Sequence, residues 1–326
     1  KALTIKPDYA EAYNNMGLAL TRQDKLEEAI EAFCKALSVK SDCAEAHNNM
    51  GNALRDLGSF EQAVATFKQV LLLKPEYAEE YSLASFNIGS ILLESGKHEE
   101  AAEYFKLSAF ELSKHHLLKC LYLQDKRSLF YDQLDYFINQ GEVHPMIGSL
   151  SCRSALRYGR EKPNLFCKDP LNYVLKTDLT GQYDFEKIFI KTARTIIDEN
   201  RIPNKKQSLL TNGYQTTGNL FNLERELTAD IQNIIRLEVE KYLVSFKDSK
   251  EGLITSWPTD YSLYGWLVSM TSGGELRPHM HEKGWISGSI YINVPAKSNT
   301  ENGNLVVCIE EESLVGEAIN QEKSID

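Results

Sequence analysis

The stretch AEAYNNMGLALTRQDKLEEAIEAFCKAL, residues 10–37, recurs in outline as AEAHNNMGNALRDLGSFEQAVATFKQVL, residues 44–71. The two copies begin 34 residues apart, at Ala10 and Ala44. Each contains two runs in which apolar residues recur every three or four positions, the spacing of one helix face. We therefore predict that each copy is a helical hairpin, which cannot bury its apolar face alone and must stack on its neighbours.

Small and large residues fall at the same places in each copy. Gly17 and Gly51 allow the paired helices to approach closely, and Phe33 and Phe67 fill the space between repeats. A third copy begins after about four additional residues near EYSLASFN, residues 80–87, and its corresponding residues are Gly89, Ala101 and Phe105. The opening KALTIKP, residues 1–7, fits the tail of an earlier copy.

The period and these positions resemble tetratricopeptide arrays. Asn15, Asn49 and Asn87 recur two residues before the glycine of each copy. In the similar arrays of O-linked N-acetylglucosamine transferases, such asparagines form a ladder that holds peptide backbone, because an amide offers both donors and an acceptor. The resemblance therefore implies a protein or peptide partner. The alternative is that Asn is merely tolerated on an exposed helix face.

Composition limits the remaining classes of function. The chain has 326 residues, enough for about two domains, and a net charge of −10. This acidic balance argues against nucleic acid as a partner. The six scattered cysteines form no CxxC pair and indicate reduced thiols in the cytoplasm. We find no signal peptide and no apolar run long enough to span a membrane, and we expect a fragment of a longer protein.

After the repeats the pattern stays helical and then changes. We predict repeats over residues 1–112, capping helices and then, from Glu142, an irregular linker over 113–180, and a third region over 181–326. In that last region DFEKIFIKTARTIIDENR and ERELTADIQNIIRLEVEKYLVSF have helical spacing, whereas SLLTNGYQTTGNLF, YSLYGWLVSM, ISGSIYINVP and GNLVVCIE indicate strands. Helices followed by strands predict an α+β domain.

The segment GGELRPHMHEKGWISGSIYINVP, residues 273–295, contains two histidines that could bind a metal, just ahead of the run ISGSIYINVP, which we predict to be a buried strand. In an extended strand alternate side chains project to the same side, so we expect His279 and His281 to point together. Imidazole is a ligand for Fe, Zn, Cu and Ni.

The order HMH, then SGSIYINVP, then NGNLVV resembles the core of prolyl-hydroxylase-like 2-oxoglutarate- and Fe(II)-dependent oxygenases. The resemblance is greatest to a bacterial branch that has HxH in place of the usual HxD. The resemblance covers roughly residues 205–326 and implies a double-stranded β-helix, incomplete here. The whole chain is then an all-α tetratricopeptide solenoid followed by an α+β domain. The implied activity is hydroxylation of a protein or peptide side chain with Fe(II) and 2-oxoglutarate, which is converted to succinate.

By this resemblance His279 and His281 are metal ligands, and His281 stands where the family has a carboxylate. Either His281 supplies a third nitrogen ligand to the metal, or water takes that coordination position. Arg277 could pair with a carboxylate, and Ser287 and Tyr291 share one strand face and could line the pocket. The family's distal His and its basic partner for 2-oxoglutarate have no counterpart after His281, so we expect this fragment to bind iron weakly and to be inactive.

Two other interpretations use the same residues. Gly273 followed by His279 and His281 matches the opening of a cupin motif, although the glutamate expected four residues later is absent. The second alternative is a protein-interaction scaffold in which the histidines have no catalytic role.

Overall fold

The computed structural model of the chain describes residues 9–23, 25–73, 78–207, 209–277, 281, 284–292, 305–308 and 322–325. The chain divides into two compact units, residues 1–136 and residues 137–326. The predicted tail of an earlier repeat, residues 1–7, lies outside the described residues.

The first unit is a series of antiparallel helical hairpins. Its helices are α1 Ala10–Thr21, α2 Leu26–Val39, α3 Ala44–Asp56, α4 Phe60–Leu71, α5 Ala78–Glu94, α6 His98–Leu107, α7 Glu111–Leu123 and the greater part of α8, Arg127–Asn139. Helix α5 has 17 residues and α3 has 13. The four additional residues predicted in the third copy therefore lengthen its first helix.

The predicted close approach within each hairpin is confirmed. A Cβ added at Gly51 would lie 2.5 Å from Phe67 Cε1, and one added at Gly17 would lie equally close to Phe33. The third copy repeats this contact between Gly89 and Phe105. All three rings are buried, so each glycine creates the space that its phenylalanine fills.

The second unit contains the remaining helices and all the described strands. Its α-helices are α9 Pro145–Tyr158, α10 Lys191–Asp198, α11 Leu220–Leu223, α12 Ala229–Ser245 and α13 Gly252–Thr255, with a 3₁₀ turn at Pro170–Tyr173 and a π-helical turn at Glu186–Ile190. None of the helices in the described ranges is both long and apolar enough to cross a membrane.

Two antiparallel sheets accompany these helices. Strands β1 Asn204–Lys205, β2 Leu210–Thr216 and β3 Val268–Leu276 form one sheet in that order, and β4 Leu305–Cys308 pairs with β5 Glu322–Ile325. In the first sheet Gln215 pairs with Val268 and Leu210 pairs with Leu276, with a bulge between Thr211 and Gly213. An all-α solenoid followed by an α+β region is thus the observed fold.

The prediction of an irregular linker was wrong for residues 145–158, which form α9. Pro145 occupies the first turn of this helix, and the His144 side chain accepts a hydrogen bond from Met146 N at 3.2 Å. Gly159 follows at φ 65°, in the left-handed conformation typical of a helix end. Proline at the start and glycine just past the end are the expected helix boundaries, although Ser and Cys interrupt the apolar periodicity.

The prediction of a buried strand over ISGSIYINVP was also wrong where it can be compared. Residues 286–292 adopt no strand, and most of their side chains are exposed. A strand is stabilised by pairing with a neighbour, and none of the described strands pairs with these residues. A period-two pattern alone does not supply that partner.

Candidate functional site

The segment before β3 is fixed by Asn219, the N-cap of α11. Asn219 Nδ2 donates to Leu263 O at 3.0 Å, and its Oδ1 accepts from Gly265 N at 3.0 Å. The same Oδ1 accepts from Phe221 N, which caps the helix. One side chain therefore caps a helix and holds residues 263–265 against it.

Gly265 is required because the backbone passes directly over an aromatic ring. A Cβ at this position would lie 2.5 Å from Phe221 Cε2. Two residues later, Thr216 exchanges hydrogen bonds with Leu267: Thr216 N donates to Leu267 O, and Leu267 N donates to Thr216 Oγ1, both at 3.0 Å. Trp266 lies between these two attachments, so its backbone has little freedom.

Trp266 in turn contacts His281. The two ring centroids lie 5.0 Å apart with an interplanar angle of 75°, an edge-to-face arrangement. Exposed Tyr264 also contacts Trp266, with the ring centroids 5.8 Å apart. Trp266 therefore contacts both Tyr264 and His281.

The described residues that follow His281 begin at Gly284 and are anchored at Trp285. Gly284 N donates to His281 O at 3.0 Å. Trp285 Nε1 donates to Leu253 O at 2.9 Å, and its ring packs edge-on against Phe166 at 5.2 Å. The anchored indole leads the chain back toward the histidine.

This return brings Ser287 to the imidazole. Ser287 Oγ lies 2.7 Å from His281 Nδ1, a hydrogen-bond distance. The imidazole thus has an aromatic neighbour and a hydroxyl partner.

The other predicted cofactor contacts are at or near the surface. Arg277 is exposed and directly follows β3, and its backbone N–H donates to Leu209 O at 2.9 Å. Tyr291 is 53% exposed, and partial burial raises the pKa of its phenol. His279 lies outside the described residues.

The donor set can be compared with what Fe(II) requires. His281 supplies one imidazole, which is a ligand type that Fe(II) accepts. Within the described ranges, no three His, Cys, Asp or Glu side chains gather closely enough to hold a metal ion. The described part of the site therefore fits the metal through this one ligand.

The predicted amide ladder lies on α1, α3 and α5. Asn15 is exposed and Asn49 is half-buried, whereas Asn87 is only 4% exposed. Asn49 Nδ2 donates to Asn14 Oδ1 at 3.0 Å, and Asn87 Nδ2 donates to the Asn52 amide oxygen at 3.2 Å. These bonds connect each repeat to the one before it.

Sequence reasoning did not identify several residues on which this geometry depends. Asn219 and Thr216 lie far before His281 in the chain and hold the segment that carries Trp266. The signal available was Asn219 ahead of the apolar pair Leu220–Phe221, which is a typical N-cap. Asn14 was missed beside its neighbour Asn15, although it is the buried member of the pair.

Family models match both parts of the chain. Tetratricopeptide-repeat models match residues 10–43 and 42–109. A model described as "Putative 2OG-Fe(II) oxygenase" matches residues 264–323, a range that includes both histidines of the HxH motif. None of the curated proteins matches the chain.

Solved structures with similar folds include helical proteins. PilF of Pseudomonas aeruginosa is 24% identical, with a TM-score of 0.42 over 48% of this chain and 72% of that one. YrrB, described as a tetratricopeptide protein with an unusual peptide-binding site, is 20% identical, with a TM-score of 0.40 over 49% and 84%. MamA of Desulfovibrio magneticus RS-1 is 21% identical, with a TM-score of 0.38 over 44% and 83%. The chain therefore carries tetratricopeptide repeats followed, toward its C-terminal end, by a region that matches the 2-oxoglutarate/Fe(II) oxygenase family.

Proposed function

We propose that this chain is part of a 2-oxoglutarate- and Fe(II)-dependent dioxygenase that hydroxylates a side chain of a protein or peptide recruited by the repeats. The observation that carries the proposal is the oxygenase-family match over residues 264–323, a range that contains both His279 and His281. When bound, iron and 2-oxoglutarate would supply the activation of O₂ for hydroxylation of a C–H bond.

The residues of the chain would hold and shield this centre. His279 and His281 would ligate the metal, because two imidazoles separated by one residue on extended backbone project to the same side. Trp266 forms an apolar wall beside His281, which would exclude water from the reacting atoms. Arg277, Ser287 and Tyr291 are the candidate contacts of 2-oxoglutarate, and a guanidinium can hold a carboxylate through two hydrogen bonds.

The repeats would supply the partner. Asn15 and Asn49 are accessible, and an amide that makes one hydrogen bond retains further donor and acceptor capacity for a peptide backbone. Buried Asn87 donates from Nδ2 to Asn52 Oδ1, and Asn87 Oδ1 accepts from Arg55 Nη1 at 3.5 Å. We assign the accessible amides of Asn15 and Asn49 to a peptide rather than to nucleic acid because the chain has a net charge of −10, whereas Asn87 would support the ladder from within the repeats.

The domain boundaries and the compartment complete the proposal. We keep the repeats at residues 1–112, the capping segment at 113–180 and the oxygenase-like domain at 181–326. Cys34, Cys43, Cys120, Cys152 and Cys167 are free thiols, which supports a reducing compartment such as the cytoplasm.

The proposal is tested on the natural full-length protein. Succinate formation from 2-oxoglutarate is measured with Fe(II) and O₂, first alone and then with proteins captured by the repeats, and mass spectrometry follows the addition of one oxygen to the captured partner. We expect succinate formation that is lost in His279→Ala and His281→Ala and retained in the exposed control Ser272→Ala.

Two results would count against an enzyme. The first is the absence of succinate with iron present. The second is that cells carrying the histidine variants keep the wild-type phenotype, whereas cells carrying Asn15→Ala together with Asn49→Ala lose it. That second pattern is the one expected of an interaction scaffold.

A further inference from the structure

We propose that Phe166 is a positioning residue for the candidate metal site, and that it acts on His281 through Trp285. Phe166 belongs to the segment that the sequence predicted to be a linker, and it lies well before the range matched by the oxygenase-family model. Its effect on a bound metal rests on the proposed function. The chain of contacts rests on the described residues of the second unit alone.

Trp285 lies between two residues that contact His281. Before it, Gly284 N donates to His281 O at 3.0 Å. After it, Ser287 Oγ lies 2.7 Å from His281 Nδ1. Because both neighbours follow the backbone of Trp285, a displacement of Trp285 changes the surroundings of the histidine at its backbone and at its ring.

Trp285 is held by two contacts with other segments, and Phe166 contributes to both. The Trp285 ring packs edge-on against the Phe166 ring, with centroids 5.2 Å apart and an interplanar angle of 75°. Trp285 Nε1 donates to Leu253 O at 2.9 Å. Leu253 is placed by Phe166 in turn, because Leu253 N donates to Phe166 O at 2.7 Å.

Phe166 is itself fixed against helix α9. Asn164 Oδ1 accepts from Phe166 N at 3.1 Å, and Asn164 Nδ2 donates to Gly148 O at 2.9 Å. A Cβ added at Gly148 would lie 2.7 Å from Phe166 Cβ, so the helix has a glycine where Phe166 lies against it. These contacts connect α9, through Phe166 and Trp285, to the histidine.

The size of the effect follows from the distance of Phe166 from the histidine in this chain of contacts. Residues that orient metal ligands without touching the metal typically change metal affinity by roughly 10–100-fold when they are replaced. Phe166 acts through Trp285 and does not touch the histidine in any contact described above. We therefore expect the lower end of that range, about tenfold.

The test uses ¹⁹F NMR of the chain labelled with 5-fluorotryptophan, without metal or activity. The chain has three tryptophans, and replacement of each by Phe assigns its signal. Trp266 contacts His281 and reports on the histidine ring, whereas Trp257, which packs against Tyr261, shows that the unit stays folded. We expect Phe166→Leu to move the Trp266 and Trp285 signals.

Matched variants separate the ring contact from a general disturbance. Phe166→Tyr keeps the ring and should retain the wild-type Trp266 signal. Leu175→Ala, which replaces an exposed leucine, should move none of the three signals. Trp285→Phe removes the N–H that donates to Leu253 O and should move the Trp266 signal by the same route.

An unmoved Trp266 signal in Phe166→Leu, with the Trp257 signal intact, would overturn the proposal. If Phe166→Leu does not fold, an unmoved Trp266 signal in Trp285→Phe would overturn it instead. In the natural full-length protein, Co(II) affinity should fall about tenfold in Phe166→Leu and be retained in Phe166→Tyr, and equal affinities in wild type and Phe166→Leu would also overturn it. If Co(II) does not bind the wild-type protein, the proposed function fails, and the Trp266 signal still decides whether Phe166 positions the histidine.

Discussion

Replacement of Gly51 by Ala should destabilise the repeat array. The new Cβ would lie 2.5 Å from Phe67 Cε1, and two more ring atoms would lie at 2.7 and 2.8 Å, whereas carbon atoms in contact normally lie about 3.5–4.0 Å apart. The ring is fully buried, so it cannot retreat by about 1 Å without displacing the next helix. Overpacking of this kind costs up to about 3 kcal/mol, and Ala regains about 1 kcal/mol of helix propensity. We expect the free energy of unfolding to fall by about 2 kcal/mol.

The measurement is urea denaturation of the chain followed by far-UV circular dichroism. Gly181→Ala is the control, because nothing lies within 4 Å of a Cβ at that position. Phe67→Leu removes ring atoms from the clash, so the double variant with Gly51→Ala should lose less stability than the two single losses added together. Wild-type stability in Gly51→Ala, or additive losses in the double variant, would refute the packing argument.

Three further changes test other contacts. Asn49→Ala leaves the buried Asn14 Oδ1 without the donor that now lies 3.0 Å away, so the free energy of unfolding should fall by about 1–3 kcal/mol. The exposed control Asn15→Ala should change the free energy of unfolding by less than about 0.5 kcal/mol. Equal losses in the two variants would contradict a contribution from this hydrogen bond. His144→Ala removes the N-cap of α9 and should cost about 1 kcal/mol in urea denaturation, with His144→Ser restoring part of it; no loss would contradict the cap. Burial raises the pKa of the Cys167 thiol from 9.0 to about 12, so the folded state keeps a proton that the unfolded chain releases. The free energy of unfolding should therefore fall as pH rises above about 9, and it should fall less steeply in Cys167→Ala. Identical pH profiles for the two proteins would contradict a raised pKa of Cys167.

The repeat architecture could be predicted because its contacts are local and periodic. Gly17 and Phe33 lie in one hairpin, and the same pair recurs one repeat later as Gly51 and Phe67. A recurring spacing shows which residues must meet even when no structure is known. The helix that sequence reasoning missed, α9, has no such repetition and is specified mainly by its ends, with Pro145 at the start and Gly159 after the last turn.

The candidate site was predictable only in part. The HMH spacing made His281 a candidate ligand, and a predicted strand face made Ser287 a candidate neighbour. In the structure Ser287 Oγ does lie 2.7 Å from His281 Nδ1, but residues 286–292 form no strand. The exposed run after Trp285 shows why the finer prediction of a buried strand failed: the sequence alternates as a strand does, but none of the described strands pairs with it. Alternation specifies two faces, and pairing decides whether a strand exists.

The sequence alone determined the repeat, its period, the close contacts within each hairpin and the presence of a histidine pair, because all of these depend on residues a fixed short distance apart. Only the tertiary structure decided that Asn219 and Thr216 hold the segment carrying Trp266, and that Ser287 Oγ lies 2.7 Å from His281 Nδ1. Those contacts join separate segments whose paths depend on how the whole unit buries its apolar side chains. No local periodicity encodes such a path, and so the partners of His281 had to be read from the fold.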